Sequence, residues 1–251
     1  MARENMVLLI GKLEKQPIVY FTEDFGTYEI KLTLNVLRRN GRTEFPVVSV
    51  FGLQKEEAAA FYRKLKRGSF LVVKGMILTT MKPLKIKCGD CGHEKEVSTL
   101  QTEIASIGLP IVLQGNYAAE EFKEVSDVVN LIGRVCNTPN NRSTLGNTSI
   151  TQYQVAVDRK FHIVEREDKT DYPWVKSFGQ QADEDATRLQ KGSIIYVTGA
   201  FQTRQTNKSI LCDECARQLS YSETVGEIVS NDVEYLSNFK SDQTENAPDE
   251  L

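Results

Sequence analysis

The chain has few of the side chains on which acid–base catalysis depends. Its 251 residues include two histidines, His93 and His162, and one tryptophan, Trp174. It contains no glycine loop of a nucleotide-binding kind, no pair of carboxylates at a catalytic spacing and no nucleophile beside a base. We therefore expect a protein that binds rather than one that catalyses a reaction.

Long apolar segments are missing as well. No run of about 18 apolar residues is present, which argues against a membrane-spanning helix. Residues 1–7 contain Arg3 and Glu4 where a signal peptide would have an apolar core. Five cysteines, four of them in two CxxC pairs, fit metal binding in a reducing compartment better than disulfides. These features predict a cytoplasmic protein.

An excess of positive charge is also absent, since the formal net charge is -3. Residues 240–251 contain one lysine and four acidic residues, and the rest of the chain has 30 basic and 30 acidic residues. A neutral body attracts nucleic acid only through local basic strips, because its overall field is weak.

The chain does contain an internal repeat. Gly68, Gly75, Cys88 and Cys91 recur 124 residues later as Gly192, Gly199, Cys212 and Cys215. Further upstream, Gly11 and Pro17 recur 122 residues later as Gly133 and Pro139. A nearly constant offset over glycines and a cysteine pair indicates a tandem duplication, so each half is interpreted as one domain.

Each half shows short strands and one helix. The first half has predicted strands at 7–10, 28–34, 47–51 and 70–73, and a helix at 56–65 that Gly68 is expected to cap. The second half has strands at 152–157, 175–178 and 194–197, and a weaker helix at 182–189. A helix between the third and fourth strands is the order of the OB-fold barrel.

We therefore predict an all-β protein with two tandem OB-fold barrels, each with one short helix, and with CxxC hairpins. The predicted domains are 1–108 and 127–239, joined by a linker at 109–126. The segment 240–251 is polar and acidic, so we expect a disordered acidic tail.

Three motifs occur in the same order in both halves. The first is an apolar stretch that ends in Ile-Gly, with a proline six residues later. The second leads from Thr43-Glu44-Phe45 to Phe51-Gly52 and from Thr170-Asp171-Tyr172 to Phe178-Gly179. The third is Leu-x-Arg/Lys-Gly-Ser followed by Val-x-Gly. This ordered set resembles the bacterial-type single-stranded DNA-binding proteins (SSB).

The resemblance implies a single-stranded DNA-binding protein that acts in replication, recombination or repair. Ordinary family members carry one such domain per chain and assemble as tetramers. A double domain departs from that pattern and suggests a phage or mobile-element relative, or an internally fused dimer, which would form a homodimer.

Single-strand binding needs flat side chains for base stacking. The resemblance places Phe45 and Tyr172 at one stacking position and Phe51 and Phe178 at a second, and Phe161 and Trp174 are further candidates. Packing against the barrel is the alternative for Phe51 and Phe178.

Cations on the hairpins are the candidate phosphate contacts. They are Arg38, Arg39 and Arg42 on the first polar hairpin, Arg159 and Lys160 on its counterpart, and Lys82, Lys85, Lys87, Arg204 and Lys208 on the CxxC hairpins. The alternative is that hairpin tips are charged for solubility. Lys64, Lys66 and Arg67 at the end of the first helix are expected to be solvated.

Each CxxC pair offers two thiolates, whereas a closed structural zinc site takes four ligands. Cys88, Cys91, Cys212 and Cys215 could meet within one chain, pair with another chain, or each recruit local ligands such as His93. We favour one intramolecular four-cysteine zinc site that clamps the two barrels. A redox pair or plain free thiols are the alternatives, and Cys136 is expected to be a buried apolar residue.

The chain ends in Pro248-Asp249-Glu250-Leu251. By resemblance, this acidic tip would recruit replication proteins, although an ordinary acidic tail is the alternative. Two other functions remain open from sequence. One is a replisome or primosome adaptor or inhibitor that works through protein contacts, and the other is an RNA-binding OB protein.

Overall fold

A computed structural model describes residues 4–240 of the chain. The predicted acidic tail, apart from Lys240, lies outside the described residues. The strands are β1 (Glu4–Leu13), β2 (Ile18–Thr22), β3 (Thr27–Leu37), β4 (Thr43–Glu44), β5 (Val47–Leu53), β6 (Phe70–Lys87), β7 (Glu94–Ser106), β8 (Ile111–Val112), β9 (Asp127–Val135), β10 (Asn140–Ser143), β11 (Ser149–Asp158), β12 (Thr170–Asp171), β13 (Trp174–Phe178), β14 (Ile194–Leu211) and β15 (Gln218–Ser237). The helices are α1 (Lys55–Lys64) and α2 (Gly179–Arg188), with 3-10 turns at Glu23–Phe25 and Ala119–Glu121.

Five strands of the first half form a closed ring. β1 pairs with β3 and β6, β3 pairs with β5, β5 runs parallel to β7, and β7 pairs with β6. Inward residues alternate along each strand, and Ile30, Leu32 and Leu34 on β3 are fully buried. α1 buries Ala58 and Phe61 in the same core. The ring order, with α1 between β5 and β6, is that of the OB fold.

The second half repeats this ring with β9, β11, β13, β15 and β14, and again its single parallel pair joins the third strand to the last. The predicted all-β OB fold with one short helix per half is therefore confirmed. The extent of two strands was predicted wrongly. β6 and β14 continue as regular ladders to the cysteine pairs, because their polar outer parts pair with β7 and β15 despite little burial.

The predicted helix cap was also wrong. α1 ends at Lys64, and extended Leu65 follows it as the cap residue. Gly68 has a positive φ of 86° three residues later, where its N–H donates to the carbonyl of Leu13 at 2.8 Å. Glycine is needed there for a turn back onto β1, since other residues rarely adopt this conformation.

The two halves share one continuous sheet, because β1 pairs antiparallel with β9. Val7 lies directly opposite Val129, its repeat-related residue. An antiparallel pair in which equivalent residues face each other places a local two-fold axis between them. Strands, hairpins and side chains that are equivalent in the two halves are therefore related by this axis.

The predicted linker, 109–126, packs on the first half. β8 pairs with β6. The rings of Phe122 and Tyr117 lie 5.3 and 6.2 Å from that of Phe70. The hydroxyl of Ser126 donates to the carbonyl of Leu37 at 2.5 Å. Within the described residues, neither helix is long and apolar enough to cross a membrane.

The glycines of the repeat mark places where strands cross closely. A Cβ on Gly11, Gly75, Gly133 or Gly199 would lie 2.7, 2.7, 2.6 or 2.4 Å from a carbonyl oxygen of a neighbouring strand. No real Cβ approaches backbone so closely, so only glycine fits. The glycine framework of the sequence is therefore a steric requirement of the two barrels.

We predict that Gly133→Ala lowers the free energy of unfolding by about 1–3 kcal/mol, the usual cost of overpacking. Its new methyl group would meet Val155 at 2.4 Å as well as the Ala156 carbonyl. Gly146→Ala is the control, because its nearest neighbour would be 3.9 Å away, and we expect a change within about 0.5 kcal/mol. Urea denaturation of both variants measures this. Equal stability of the two variants would contradict the steric explanation.

Candidate nucleic-acid interface and cysteine cluster

An outward-facing row of side chains follows β12 and β13 of the second half. Tyr172, Trp174, Lys176 and Phe178 occupy alternate positions and so share one face of the strand. Lys176 is buried there in an ion pair with Glu227. Tyr172 and Phe178 are 45% and 41% exposed, and Trp174 is half-buried. This row presents three aromatic side chains along one side of the barrel.

The corresponding row of the first half is Phe45, Val47, Ser49 and Phe51. Phe45 is as exposed as Tyr172, at 45%. Phe51 is half-buried against Met76, Leu78, Ala105 and Ile163. The structure thus packs Phe51 and leaves its counterpart Phe178 exposed, although the sequence offered the same alternatives for both.

A reciprocal pair of hydrogen-bonded contacts joins the halves. The Glu44 carboxylate accepts the backbone N–H and the hydroxyl of Thr203, at 2.7 and 3.0 Å. The Asp171 carboxylate accepts the same two groups of Thr79, at 2.7 and 3.3 Å. We call this pair of contacts the clasp. It ties each polar hairpin to the long CxxC hairpin of the other half.

The clasp also positions the two exposed aromatic residues. The backbone N–H of Phe45 donates to the Thr203 hydroxyl at 3.2 Å, and that of Tyr172 donates to the Thr79 hydroxyl at 2.9 Å. Each ring is therefore fixed at its backbone against the opposite half while its face stays open to solvent.

Two predicted phosphate contacts serve the clasp instead. Arg38 and Arg159 are each 7% exposed. Arg159 binds the Asp171 carboxylate at 2.7 and 3.0 Å. Arg38 lies 3.5 Å from both Glu44 and Asp127. Burial raises the pKa of Asp127 to about 7, while the Phe201 N–H and Arg38 act in the opposite direction. Contact with nucleic acid does not fit this burial.

The other predicted cations lie at the surface to different degrees. Arg42, Lys85 and Lys87 are exposed and have no ion-pair partner in the described part of the chain. Arg39, Lys160 and Lys208 are exposed but lie within ion-pair distance of Glu124, Glu4 and Glu223 respectively. Lys82 and Arg204 are half-buried, and Phe161 is 41% exposed.

A groove of about 370 Å³ lies beside the aromatic row of the second half. Trp174, Arg204 and Lys208 line it, together with the amide side chains of Asn137, Asn140 and Gln152. Sequence reasoning missed these amides. The signal was available at the repeat offset, where Asn140–Ser143 of the second half replaces the apolar Ile18–Phe21 of the first.

The first half has a groove of about 500 Å³ with a different lining. Tyr20, Lys31, Lys82, Glu103 and Arg166 contribute to it, along with Glu29 and Val47. The Lys31 ammonium donates to Glu103 at 2.8 Å. Val47 occupies the position that Trp174 has in the second half. Each groove has one aromatic side chain and a net lining charge of +1, but the first has five charged side chains and the second has three, with Glu223 beside Arg204 and Lys208, together with its three amides.

The four repeat-related cysteines converge at the tips of the CxxC hairpins. The Sγ atoms of Cys88 and Cys215 are 3.6 Å apart, as are those of Cys91 and Cys212, and all four lie within 4.8 Å of one another. Flanking contacts are an Asp90–Arg217 ion pair and a Lys95–Asp213 pair. The intramolecular arrangement favoured from sequence is the one present in this fold, and His93 is not part of the cluster.

The cluster fits a tetrahedral metal ion. A zinc–sulfur bond of about 2.3 Å corresponds to sulfur–sulfur edges of about 3.8 Å. Backbone N–H groups of Cys91 and Asp90 lower the pKa of Cys88 to about 6. The His93 backbone N–H lowers the pKa of Cys91, but burial and the neighbouring thiols outweigh it and raise that pKa to about 12. Without a metal ion only some of the four thiols therefore ionise readily, and metal binding would release protons from the others. These four cysteines could hold a metal ion.

Known proteins resemble the chain in sequence and in fold. Residues 127–236 match the model of the Single-strand binding protein family. Single-stranded DNA-binding protein 3 of Clostridium acetobutylicum is 30% identical over 122 residues, 48% of this chain and 78% of that protein. The single-stranded DNA-binding protein of Caldanaerobacter subterraneus subsp. tengcongensis is 30% identical over 120 residues, 48% of this chain and 74% of that protein.

The fold likeness covers both halves. The wild-type single-stranded DNA binding protein from Thermus aquaticus, a crystal structure, aligns with a TM-score of 0.63 and 18% identity over 98% of this chain and 100% of its own. Its deletion mutant aligns over 97% of this chain with the same score. The ordered motifs, the OB rings and the relatives, which this chain matches over most of their length, all indicate the same family. The chain belongs to the single-strand binding protein family.

Proposed function

We propose that the protein binds single-stranded DNA without catalysis, as part of replication, recombination or repair. The observation that carries this proposal is the placement of Phe45 and Tyr172. Each is exposed, and each is tied through its backbone N–H to a threonine of the other half. An open aromatic face on a held backbone suits base stacking, because less backbone freedom is lost on binding. Its relatives are named for binding single-stranded DNA.

Bases would stack on Tyr172, Trp174 and Phe178 of the second half. Phe45, beside the first polar hairpin, would provide a further stacking position. Stacking accepts every base, so binding would depend little on sequence. Because duplex bases are already stacked and paired, the protein would bind the single strand selectively. It would then remove secondary structure by mass action.

Arg42, Lys85 and Lys87 are the best placed phosphate contacts, since they are exposed and no ion-pair partner lies near them among the described residues. Glu96 and Glu94 lie opposite Lys85 and Lys87 on β7 and offset part of their charge. Three phosphate contacts on a single strand correspond to a log–log salt slope of about -2. A modest slope fits a chain whose body is neutral. Stacking rather than charge would then supply most of the affinity.

We further propose that the cysteine cluster holds one structural zinc ion. Four thiolates fill its tetrahedral coordination, so no position remains for a reacting water. The ion would join the tips of the β6–β7 and β14–β15 hairpins and thereby fix Lys85, Lys87 and Lys208 relative to the aromatic rows. The zinc ion would thus hold the hairpin tips in position and stabilise the fold.

We also propose a homodimer through the outward face of β1 and β9. Met6, Leu8, Ile10, Val128 and Ile132 alternate with core residues, point out of the sheet and are half-buried. An apolar patch on a local two-fold axis suits a second copy, because one patch can face itself. The acidic tail, with its suggested protein partners, lies outside the described residues.

Single-strand binding is tested by fluorescence anisotropy with a labelled dT oligonucleotide of about 35 nucleotides, longer than two OB sites. We expect tight, salt-sensitive binding, and a loss of about 5–150-fold for Phe45→Ala or Tyr172→Ala because one stacked base is lost. Phe25→Ala is the control, since Phe25 is 44% exposed on a 3-10 turn and belongs to neither row.

Matched duplex DNA and rU of the same length complete this experiment. Tighter binding to rU would favour the RNA-binding alternative. The proposal fails if dT does not bind at low salt, and the protein-adaptor alternative then becomes the leading one. It also fails if Phe25→Ala weakens binding as much as Tyr172→Ala.

Metal analysis by mass spectrometry tests the zinc site. We expect one zinc ion per chain in the wild type and in Cys136→Ser, which changes a cysteine outside the cluster. Cys88→Ser and Cys212→Ser should lose the ion and have a lower Tm, because the hairpin tips separate. Zinc content unchanged by these two substitutions would refute the site.

Sedimentation velocity tests the dimer. Leu8→Lys places a charge at the centre of the proposed interface, so the protein should shift from dimer to monomer. Val19→Lys is the control, because Val19 is 41% exposed on β2, away from the β1–β9 face. Dissociation by Val19→Lys, with no effect of Leu8→Lys, would place the interface at the β2 edge instead.

A further inference from the structure

A segment of the second half covers the stacking face of the first half. We call residues 161–167, between β11 and β12, the strap. Its Ile163 is 7% exposed and packs with Met76, Leu78 and Ala105 of the first barrel, and Phe51 lies against the same cluster. The strap thus contributes an apolar residue to the outer surface of a barrel to which it does not belong.

Polar contacts of the strap continue across this surface. The Glu165 carboxylate accepts the hydroxyl of Thr27 at 2.7 Å. The guanidinium carbon of Arg166 lies 5.6 Å from the centroid of the Phe51 ring, and its nearest nitrogen lies 4.0 Å from Glu103. A guanidinium at this distance from a ring makes a cation–π contact. The strap therefore touches the ring that would otherwise be available to a base.

Among residues 4–240, no equivalent contact covers Phe178 of the second half. The first polar hairpin spans residues 38–42 and its counterpart spans 159–169, six residues more. Phe178, the repeat-related residue of Phe51, remains 41% exposed. The insertion thus makes two similar barrels unequal at the same position.

We propose that the strap covers Phe51 beside the groove of the first half, where Arg166 is part of the lining, and that single-stranded DNA therefore enters the groove of the second half first. Ile163 and Arg166 then determine how many nucleotides one chain holds, because DNA reaches Phe51 only by displacing them. This inference rests on the proposed single-strand binding. The strap is displaceable, since its Arg166–Glu103 pair is long and only one of its residues is deeply buried.

The test uses Trp174, the single tryptophan of the chain, which lines the second groove. The titrant is dT of about 8 nucleotides, short enough for one OB groove. In the wild type, we expect one oligonucleotide per chain and quenching of Trp174 that saturates with it. Isothermal titration calorimetry measures the number bound, and fluorescence reports the second groove.

Glu165→Ala/Arg166→Ala opens the strap without a change in net charge. We expect this variant to bind a second oligonucleotide at least about fivefold more tightly than the wild type, the lower end of what one stacked aromatic contributes. The second event should leave Trp174 fluorescence unchanged. Glu167→Ala/Lys169→Ala is the matched control, because both residues are exposed on the same loop, and it should bind as the wild type does.

A second variant, Ile163→Ser, removes the apolar anchor and should give the same extra site. The inference is overturned if the wild type already binds two oligonucleotides with equal affinity. It is also overturned if both strap variants keep one site with wild-type affinity, because the strap is then only a brace between the halves. Absence of any dT binding by the wild type would instead refute the proposed function.

Discussion

The antiparallel pairing of β1 with β9 determines the rest of the arrangement. Val7 opposite Val129 aligns the repeat about a two-fold axis, so a contact between the halves that follows the repeat forms twice, once in each direction. The clasp forms twice for this reason, with Glu44 on Thr203 and Asp171 on Thr79. The same axis brings the two CxxC tips together, since hairpins related by two-fold symmetry that lean toward the axis must meet on it.

Departures from this symmetry occur on the outer surface, where packing constrains the sequence least. Trp174 stands where the first half has Val47, polar Asn140 stands where it has Ile18, and the strap has no counterpart. Two similar barrels can differ in what they bind, because the core residues face inward and the groove residues outward. The cores differ too, since buried Asp185 of α2, which accepts hydrogen bonds from the Tyr153 and Tyr235 hydroxyls, stands where α1 has Phe61.

Two arginines of the polar hairpins have a structural role that is separate from the proposed DNA binding. Arg38 and Arg159 lie on loops that an OB fold uses for binding, yet buried carboxylates neutralise both. An unpaired buried arginine would be very costly, so these residues are held by Glu44, Asp127 and Asp171. Their contribution is to hold the hairpins that present Phe45 and Tyr172, and the charge available to phosphates comes from other residues.

The sequence alone determined the barrels, because alternating apolar residues and glycines at close strand crossings are local requirements that leave a local pattern. It also located the exposed aromatics Phe45 and Tyr172, which lie beside polar turns. Only the tertiary structure decided that Arg38 and Arg159 are buried, that Ile163 and Arg166 cover Phe51 and that the two cysteine pairs meet. Most of these contacts join residues between 58 and 127 positions apart. Spacing along a chain gives the type of each residue but not the partner that folding brings to it.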